Sequence, residues 1–321
     1  MTVATRPRTV AGAGASTLER RYRWLLRSYP RGYRSGHGDE IVATLLETAE
    51  PGRTLPSPRE SLPLVAAGFR ARVAHAARGP AWADALHLGI MAVSVAQLAT
   101  LVPYAASVPI WAGLSALAVL LVMRGRVRLA LPVTLLVATK VGAITLGRPW
   151  LDETLLPVPR DPVWRGWHGE ALYGGGGGAL YGAGGPLAPM LGYALVVAGL
   201  LVLAVRAPRP RPRSWLWWAA VPVLAGADPA GLDFADGPGV LTAVRVAVEI
   251  GLLCLAAWAG RLACDPRWAA AAGVYLVPVC AVYAENLGAH PVQDLAHLAV
   301  LVLLAALAAG VPYHARQHAL L

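Results

Sequence analysis

The chain predicts an all-α membrane protein: a polytopic transmembrane helical bundle of about eight spans, N-in and C-in, behind a small N-terminal cytosolic three-helix domain. Three observations predict it. Hydrophobic residues make up 56% of the 321 and charged residues only 14%, where about 25% charged is usual in a soluble globule. Eight apolar stretches follow residue 81, at 83–105, 107–123, 127–147, 187–206, 213–227, 239–260, 268–285 and 294–311. Most reach the ~17–25 residues that cross ~30 Å of hydrocarbon. The cationic residues, finally, alternate from loop to loop between those stretches. Mean hydropathy is +0.52, and Phe is scarce (2) while Trp reaches 11 and Tyr 10, a bias that suits membrane–water interfaces.

The first sixteen residues, MTVATRPRTVAGAGAS, carry basic residues but no apolar core of signal-peptide length, and read as a disordered tail. Residues 17–80 read as the cytosolic head. Ser16-Thr17-Leu18-Glu19 has the form of a capping box. Leu18, Tyr22, Leu25, Leu26 and Tyr29 then share one helical face, and Pro30 ends the helix. A second helix is expected from about Gly38, with Asp39 and Glu40 in its first turn and Ile41, Val42, Leu45 and Leu46 as its apolar set. Ser57-Pro58-Arg59-Glu60 is another capping box, with Pro at N1. It opens a third helix, which Pro63 could push to start at Ser61, with Leu62, Val65, Phe69 and Val73 as its expected core stripe.

The motif Tyr29-Pro30-Arg31-Gly32-Tyr33-Arg34, with Glu40 downstream and Pro51-Gly52-Arg53 after it, resembles a recurrent N-terminal module of uncharacterised actinobacterial integral membrane proteins. It is similar, more loosely, to the short prefix domains that precede the membrane part of some ABC-type permeases. The resemblance covers residues 17–78 and implies a module, not an activity. The large extracytoplasmic domain of such permeases has no counterpart here.

Residues 81–321 form the expected transmembrane domain. With the N-terminus in the cytoplasm and all eight stretches crossing, inside segments hold 23 Arg and outside loops only Arg148, Arg160 and Arg165. That asymmetry is the positive-inside pattern. The stretch at 213–227 is short, but with seven spans Arg261 and Arg267 would face outside, so it is counted as a crossing. The loop-by-loop alternation also explains the net charge of +10 without nucleic acid. Residues 1–81, tail and head together, hold 13 Arg against 6 acids, a patch suited to anionic headgroups or to a protein partner. The outside loop 148–186 contains ALYGGGGGALYGAGGP, which lacks the Gly-Lys-Ser/Thr ending of a phosphate loop and reads as a flexible linker.

Two groups of residues could carry chemistry. Lys140, Arg245 and Glu249 are intramembrane charges, expensive enough to need partners or a purpose. Arg245 and Glu249 are four apart on one helix, and Lys140 lies at a similar depth in the outer half, so the three form a candidate cluster: a substrate or proton site, or an ion network that orients helices. Glu285, His290, Asp294 and His297 gather at the outer junction of the last two spans. Their spacing matches no strong metal motif, so no metal is assigned, and no motif implies a cofactor. The three cysteines have neither metal-like nor CxxC spacing and read as small buried apolar residues. HExxH and GxSxG are absent, and no catalytic residue is assigned. The expectation is a non-enzymatic multi-pass protein of the cell membrane whose head, through residues 17–80, docks a cytosolic or membrane partner or the membrane surface. A small-molecule or proton-coupled transporter is the alternative.

Overall fold

Every described element of the computed structural model is a helix, and the described residues contain no strand. Those residues are 11–50, 53–102, 105, 109–145, 187–206, 210–225, 240–285, 288, 290 and 292–319. The glycine-rich stretch at 148–186 lies outside them. The chain divides into two units, Met1–Arg78 and Gly79–Leu321, and each is described by itself.

In the first unit α1 spans Ala11–Leu25 and tightens into a 3-10 turn at Leu26–Ser28. It begins earlier than the sequence suggested. Alanines 11, 13 and 15 favour helix, so Ser16 lies within α1 instead of capping it, and the tail expected to reach residue 16 is helical from Ala11. Leu18, Tyr22, Leu26 and Tyr29 are buried on one face, with Val42 of α2 against them. Tyr29 is extended (φ −82°, ψ 155°) and breaks the helix before Pro30. α2 then starts at once, spanning Arg31–Glu47 rather than beginning near Gly38. Two things hold its first turns. The Pro30 carbonyl accepts from the Tyr33 and Arg34 amides, both at 3.1 Å. The rings of Tyr29, Tyr33 and His37 stack in series, with centroids 5.2 and 4.8 Å apart. Asp39 and Glu40 therefore lie mid-helix, not at its dipole end.

α3 spans Pro58–Ala76 and runs straight through Pro63. Its capping box is formed: the Glu60 amide donates to Ser57 Oγ at 3.2 Å, and the Ser57 amide donates to Glu60 Oε2 at 3.4 Å. Its packed face, however, is not the expected one. Gly68 is buried against the side chains of Ser28 and Tyr29, an approach that leaves no room for a Cβ. That contact turns Leu64, Gly68 and Ala71 inward. Leu62 and Phe69 of the expected stripe stay 70% and 52% exposed.

In the second unit α4 (Ala81–Leu101) is central. Its Ile90, Met91, Val93, Val95 and Leu98 meet Val119, Val122 and Met123 of α5 (Pro109–Met123), Val127 and Ala130 of α6 (Val127–Thr145), and Val196, Leu200 and Leu203 of α7 (Leu187–Arg206). A helix apolar all round is what such a position demands. Close approach depends on small residues, as it does between membrane helices: Gly89 of α4 faces Val274 and Gly199 of α7 faces Ile90. After a 3-10 turn at Trp215–Ala219 and the short α8 (Ala220–Leu224) come α9 (Val240–Ala263), α10 (Arg267–Glu285) and α11 (Val292–Ala319). Leu253, Leu276 and Leu301 join those last three. Cys254, expected among the small buried residues, is exposed.

Five of the described helices are long and apolar enough to cross a membrane: α4, α7, α9, α10 and α11. The chain is therefore membrane-embedded. Among the described residues the other three apolar stretches supply no further helix of that kind. α5 has 15 residues, about 22 Å at 1.5 Å per residue. α6 spans 19 residues, of which the side chains are described to residue 143. The stretch at 213–227 holds two five-residue helical pieces.

The rotation of α3 has a direct test. Gly68→Val must displace Ser28 and Tyr29, and is expected to destabilise the first unit by about 1–3 kcal/mol, as overpacking does. Leu62→Ser, on the exposed face, should stay within about 0.5 kcal/mol. Hydrogen exchange of the α1 and α3 amides in the full chain would read both. The reverse ranking would restore the Leu62 stripe as core.

Candidate functional site

The motif residues of the first unit divide between packing and surface. Tyr29 is buried, and burial raises the pKa of its hydroxyl, with Tyr33 adding to the effect. Pro30 is the N-cap of α2. Tyr33 is partly exposed within the ring stack, and Glu40 is exposed. Asp39 lies 3.4 Å from Arg23 of α1. The stronger polar tie in this unit is one the sequence did not reveal. Tyr22 donates its hydroxyl to Glu60 at 2.6 Å, and Arg53 lies 3.4 Å from the same carboxylate. Burial first, then that hydrogen bond, pushes the Tyr22 hydroxyl up to about 12. The Tyr22 and Ser57 donors hold the Glu60 carboxyl below the usual carboxylate range.

In the second unit Glu249 is the focus of the intramembrane charges. Arg245, one turn earlier on α9, places Nε 3.0 Å from Glu249 Oε1. Tyr275 of α10 donates its hydroxyl to the same oxygen at 2.6 Å. His297 of α11 places Nε2 3.5 Å from Oε2. Three helices thus converge on one buried carboxylate. The Glu249–His297 pair joins two groups of residues that spacing alone kept apart. Lys140, on α6, lies under the Trp111 ring of α5, with Nζ 5.7 Å from its centroid. α6 packs on α5 and α7, whereas α9 packs on α10 and α11.

The outer-junction residues continue from His297. His290 is buried, with Nδ1 4.0 Å from Asp294 Oδ2, Nε2 3.4 Å from the Val282 carbonyl and its ring 4.9 Å from that of Tyr283. Asp294 is fully buried in the first turn of α11. Glu285 ends α10, and its side chain lies outside the described residues. Among the described residues no three His, Cys, Asp or Glu side chains gather as a metal ion would require. A cavity of about 90 Å³ opens beside this site, lined by Gln97 and Thr100 of α4, Pro189 of α7, Arg245 and Tyr275.

At the other end of the same helices lies a second node, centred on Asp84. Arg213 Nη2 is 2.5 Å from Asp84 Oδ1, and Arg267 Nη1 is 3.3 Å from Oδ2. Arg267, 1% exposed, also reaches Asp265 at 2.9 Å and donates to the Gly79 carbonyl at 3.3 Å. His87 Nε2 donates to the Val122 carbonyl at 2.8 Å, which leaves Nδ1 to accept from Arg213 Nε at 3.4 Å. The Arg213 amide donates to the Met123 carbonyl at 2.7 Å. Gly125 closes the α5–α6 turn at φ +69°, with the Pro210 carbonyl packed against it. Arg124 stacks over Trp215, 4.5 Å from the ring centroid. Sequence reasoning counted these arginines only as topology determinants. The signal it passed over is that Asp84 is the one acid in the first apolar stretch.

No family model, curated protein or solved structure matches this chain.

Removing one member of a buried pair strands the other charge, which costs more than replacing both. Glu249→Ala is therefore expected to lower stability by about 3–5 kcal/mol. Arg245→Leu combined with Glu249→Leu should cost clearly less. Thermal unfolding in detergent would rank them, and a double variant as damaged as the sum of its singles would contradict the pairing.

Proposed function

We propose that the chain is a non-enzymatic multi-pass protein of the cell membrane, with eight crossings and both termini in the cytoplasm. In this reading the N-terminal helical unit works at the cytoplasmic face, docking the membrane surface or a protein partner. One observation carries it. Gly79–His87, Val122–Arg126, Pro210–Arg213 and Asp265–Arg267 all meet around Asp84. These are the segments that the arginine count assigns to the cytoplasm. Their meeting at one end of the bundle is what alternating crossings require.

The same meeting bears on the fifth apolar stretch. Arg213 lies at the Asp84 end, and α9, 24 residues or about 36 Å long, runs toward that end at Ala263. Val240 therefore belongs at the far end from Arg213, which is what the proposed fifth crossing would require.

A second reading, a small-molecule or proton-coupled transporter, is favoured by the cavity beside Arg245 and Tyr275. Arg245 is already committed to Glu249, so the first reading is preferred. The two separate on Glu249→Gln, which keeps the shape of the side chain: a transporter would lose uptake at normal abundance.

Topology is the decisive property. Reporter fusions after residues 126, 210 and 264 are expected to report cytoplasm, and fusions after 155, 230 and 289 the outside. A cytoplasmic signal at 289 would overturn the eight-crossing reading.

A further inference from the structure

The outward face of α3 has the composition of a lipid-binding surface. Leu62, Ala66, Phe69 and Val73 recur at i, i+4, i+7 and i+11, so they lie on one side of the helix. That side is opposite Leu64, Gly68 and Ala71, which pack inward. Leu62 and Phe69 are the exposed large residues of the stripe, Ala66 is exposed and Val73 is half-buried. Arginines border it on both edges, Arg59 and Arg70 along one and Arg72 along the other, and all three are exposed; Arg72 also donates to the Arg27 carbonyl, whereas Arg59 and Arg70 lie along the open edge. The only acid on α3, Glu60, is turned to the other side, toward Tyr22 and Arg53. The face is therefore an apolar strip with cationic margins and no negative charge.

We propose that this face of α3 binds the anionic headgroup layer of the membrane, with Leu62 and Phe69 in the acyl boundary and Arg59 and Arg70 on lipid phosphates. The proposal rests on the cytoplasmic docking role given above to the N-terminal unit, and names its surface and its ligand. Charge complementarity selects the occupant. An interfacial helix needs apolar side chains directed inward and cations at the level of the headgroups, with arginine stems lying along the apolar strip. Chain length selects the place. Ala76 ends α3 and Ala81 begins a membrane-spanning helix, five residue steps that reach at most roughly 18 Å when extended. The C-terminal end of α3 is thereby kept near the bilayer surface. Its exposed strip then has hydrocarbon within reach, and the bordering arginines have phosphate.

The test uses the full chain in a background without its three cysteines, reconstituted into nanodiscs. One set of discs holds phosphatidylcholine alone and the other phosphatidylcholine mixed with phosphatidylglycerol. A spin label is placed at Phe69→Cys on the strip or, as the control, at Ala74→Cys off it. Accessibility is read to lipid-soluble oxygen and to a water-soluble nickel complex. In phosphatidylglycerol discs the label at 69 is expected to be oxygen-accessible, and the label at 74 nickel-accessible. Replacing both Arg59 and Arg70 with Gln should lower the bound-to-free ratio at 69 roughly thirtyfold, from about 1 kcal/mol per arginine near an anionic surface. Phosphatidylcholine discs should shift it the same way.

A label at 69 that stays in water in phosphatidylglycerol discs would overturn the proposal and point to a protein partner instead. A label equally immersed in both lipids and indifferent to R59Q/R70Q would overturn the recognition of negative charge. Failure of the underlying topology gives a different signature. Nanodiscs expose both leaflets, so an outside location of the N-terminus would appear in a reporter fusion and leave the spin-label result unchanged.

Discussion

Asp84 holds one end of the helical bundle together. Its carboxylate takes Arg213 on one oxygen and Arg267 on the other. Arg267 is almost fully buried, where a guanidinium needs acids beside it, and it has both Asp265 and Asp84. Asp265 is its near neighbour in sequence, so it is Asp84 that ties the start of α10, and with Arg213 the segment before α8, to α4, although both are more than a hundred residues away in sequence. Once they are placed, the directions of α4, α7, α9 and α10 follow, and with them the alternation on which a membrane topology depends. Arg213 and Arg267, two of the arginines counted in the positive-inside pattern, are thus also the ones that build this end.

The same device recurs twice. Glu249 collects Arg245, Tyr275 and His297 from three helices in the other half of the bundle. Glu60 collects Tyr22, Arg53 and the Ser57 cap in the N-terminal unit. In each case one carboxylate ties together segments that apolar packing alone would leave free to slide. Membrane helices gain little from burying apolar surface against one another, because lipid is as apolar as leucine. Specific polar nodes and close glycine contacts such as Gly89 and Gly199 then carry much of the specificity.

Much of the helical character was legible, because long apolar runs and proline breaks are local signals. The buried face of α1, the break at Pro30, the Ser57 capping box and the Arg245–Glu249 pair all follow from spacing within one helix. What the sequence could not supply depended on contacts between helices. Gly68 turned α3 by fitting against Ser28 and Tyr29, so the larger residues that periodicity selected as core ended on the surface. The ring stack of Tyr29, Tyr33 and His37 moved the start of α2 ahead of its glycines. Alanine propensity carried α1 back past Ser16. Tyr275 and His297 joined Glu249 because α10 and α11 pack beside α9, a neighbourhood that no spacing along one chain encodes. Lys140, matched to Glu249 by depth alone, is set under Trp111 on helices that pack elsewhere.

If Asp84 organises its end of the bundle, its interaction with Arg267 must be worth more than two independent surface charges. The most direct measurement is a double-mutant cycle of Asp84→Asn and Arg267→Gln on the full chain in detergent, read as unfolding free energy. A coupling of about 1–3 kcal/mol is expected, as for residues in one buried ionic network. Effects that add within about 0.5 kcal/mol would mean the two side chains do not depend on each other, and would contradict the account.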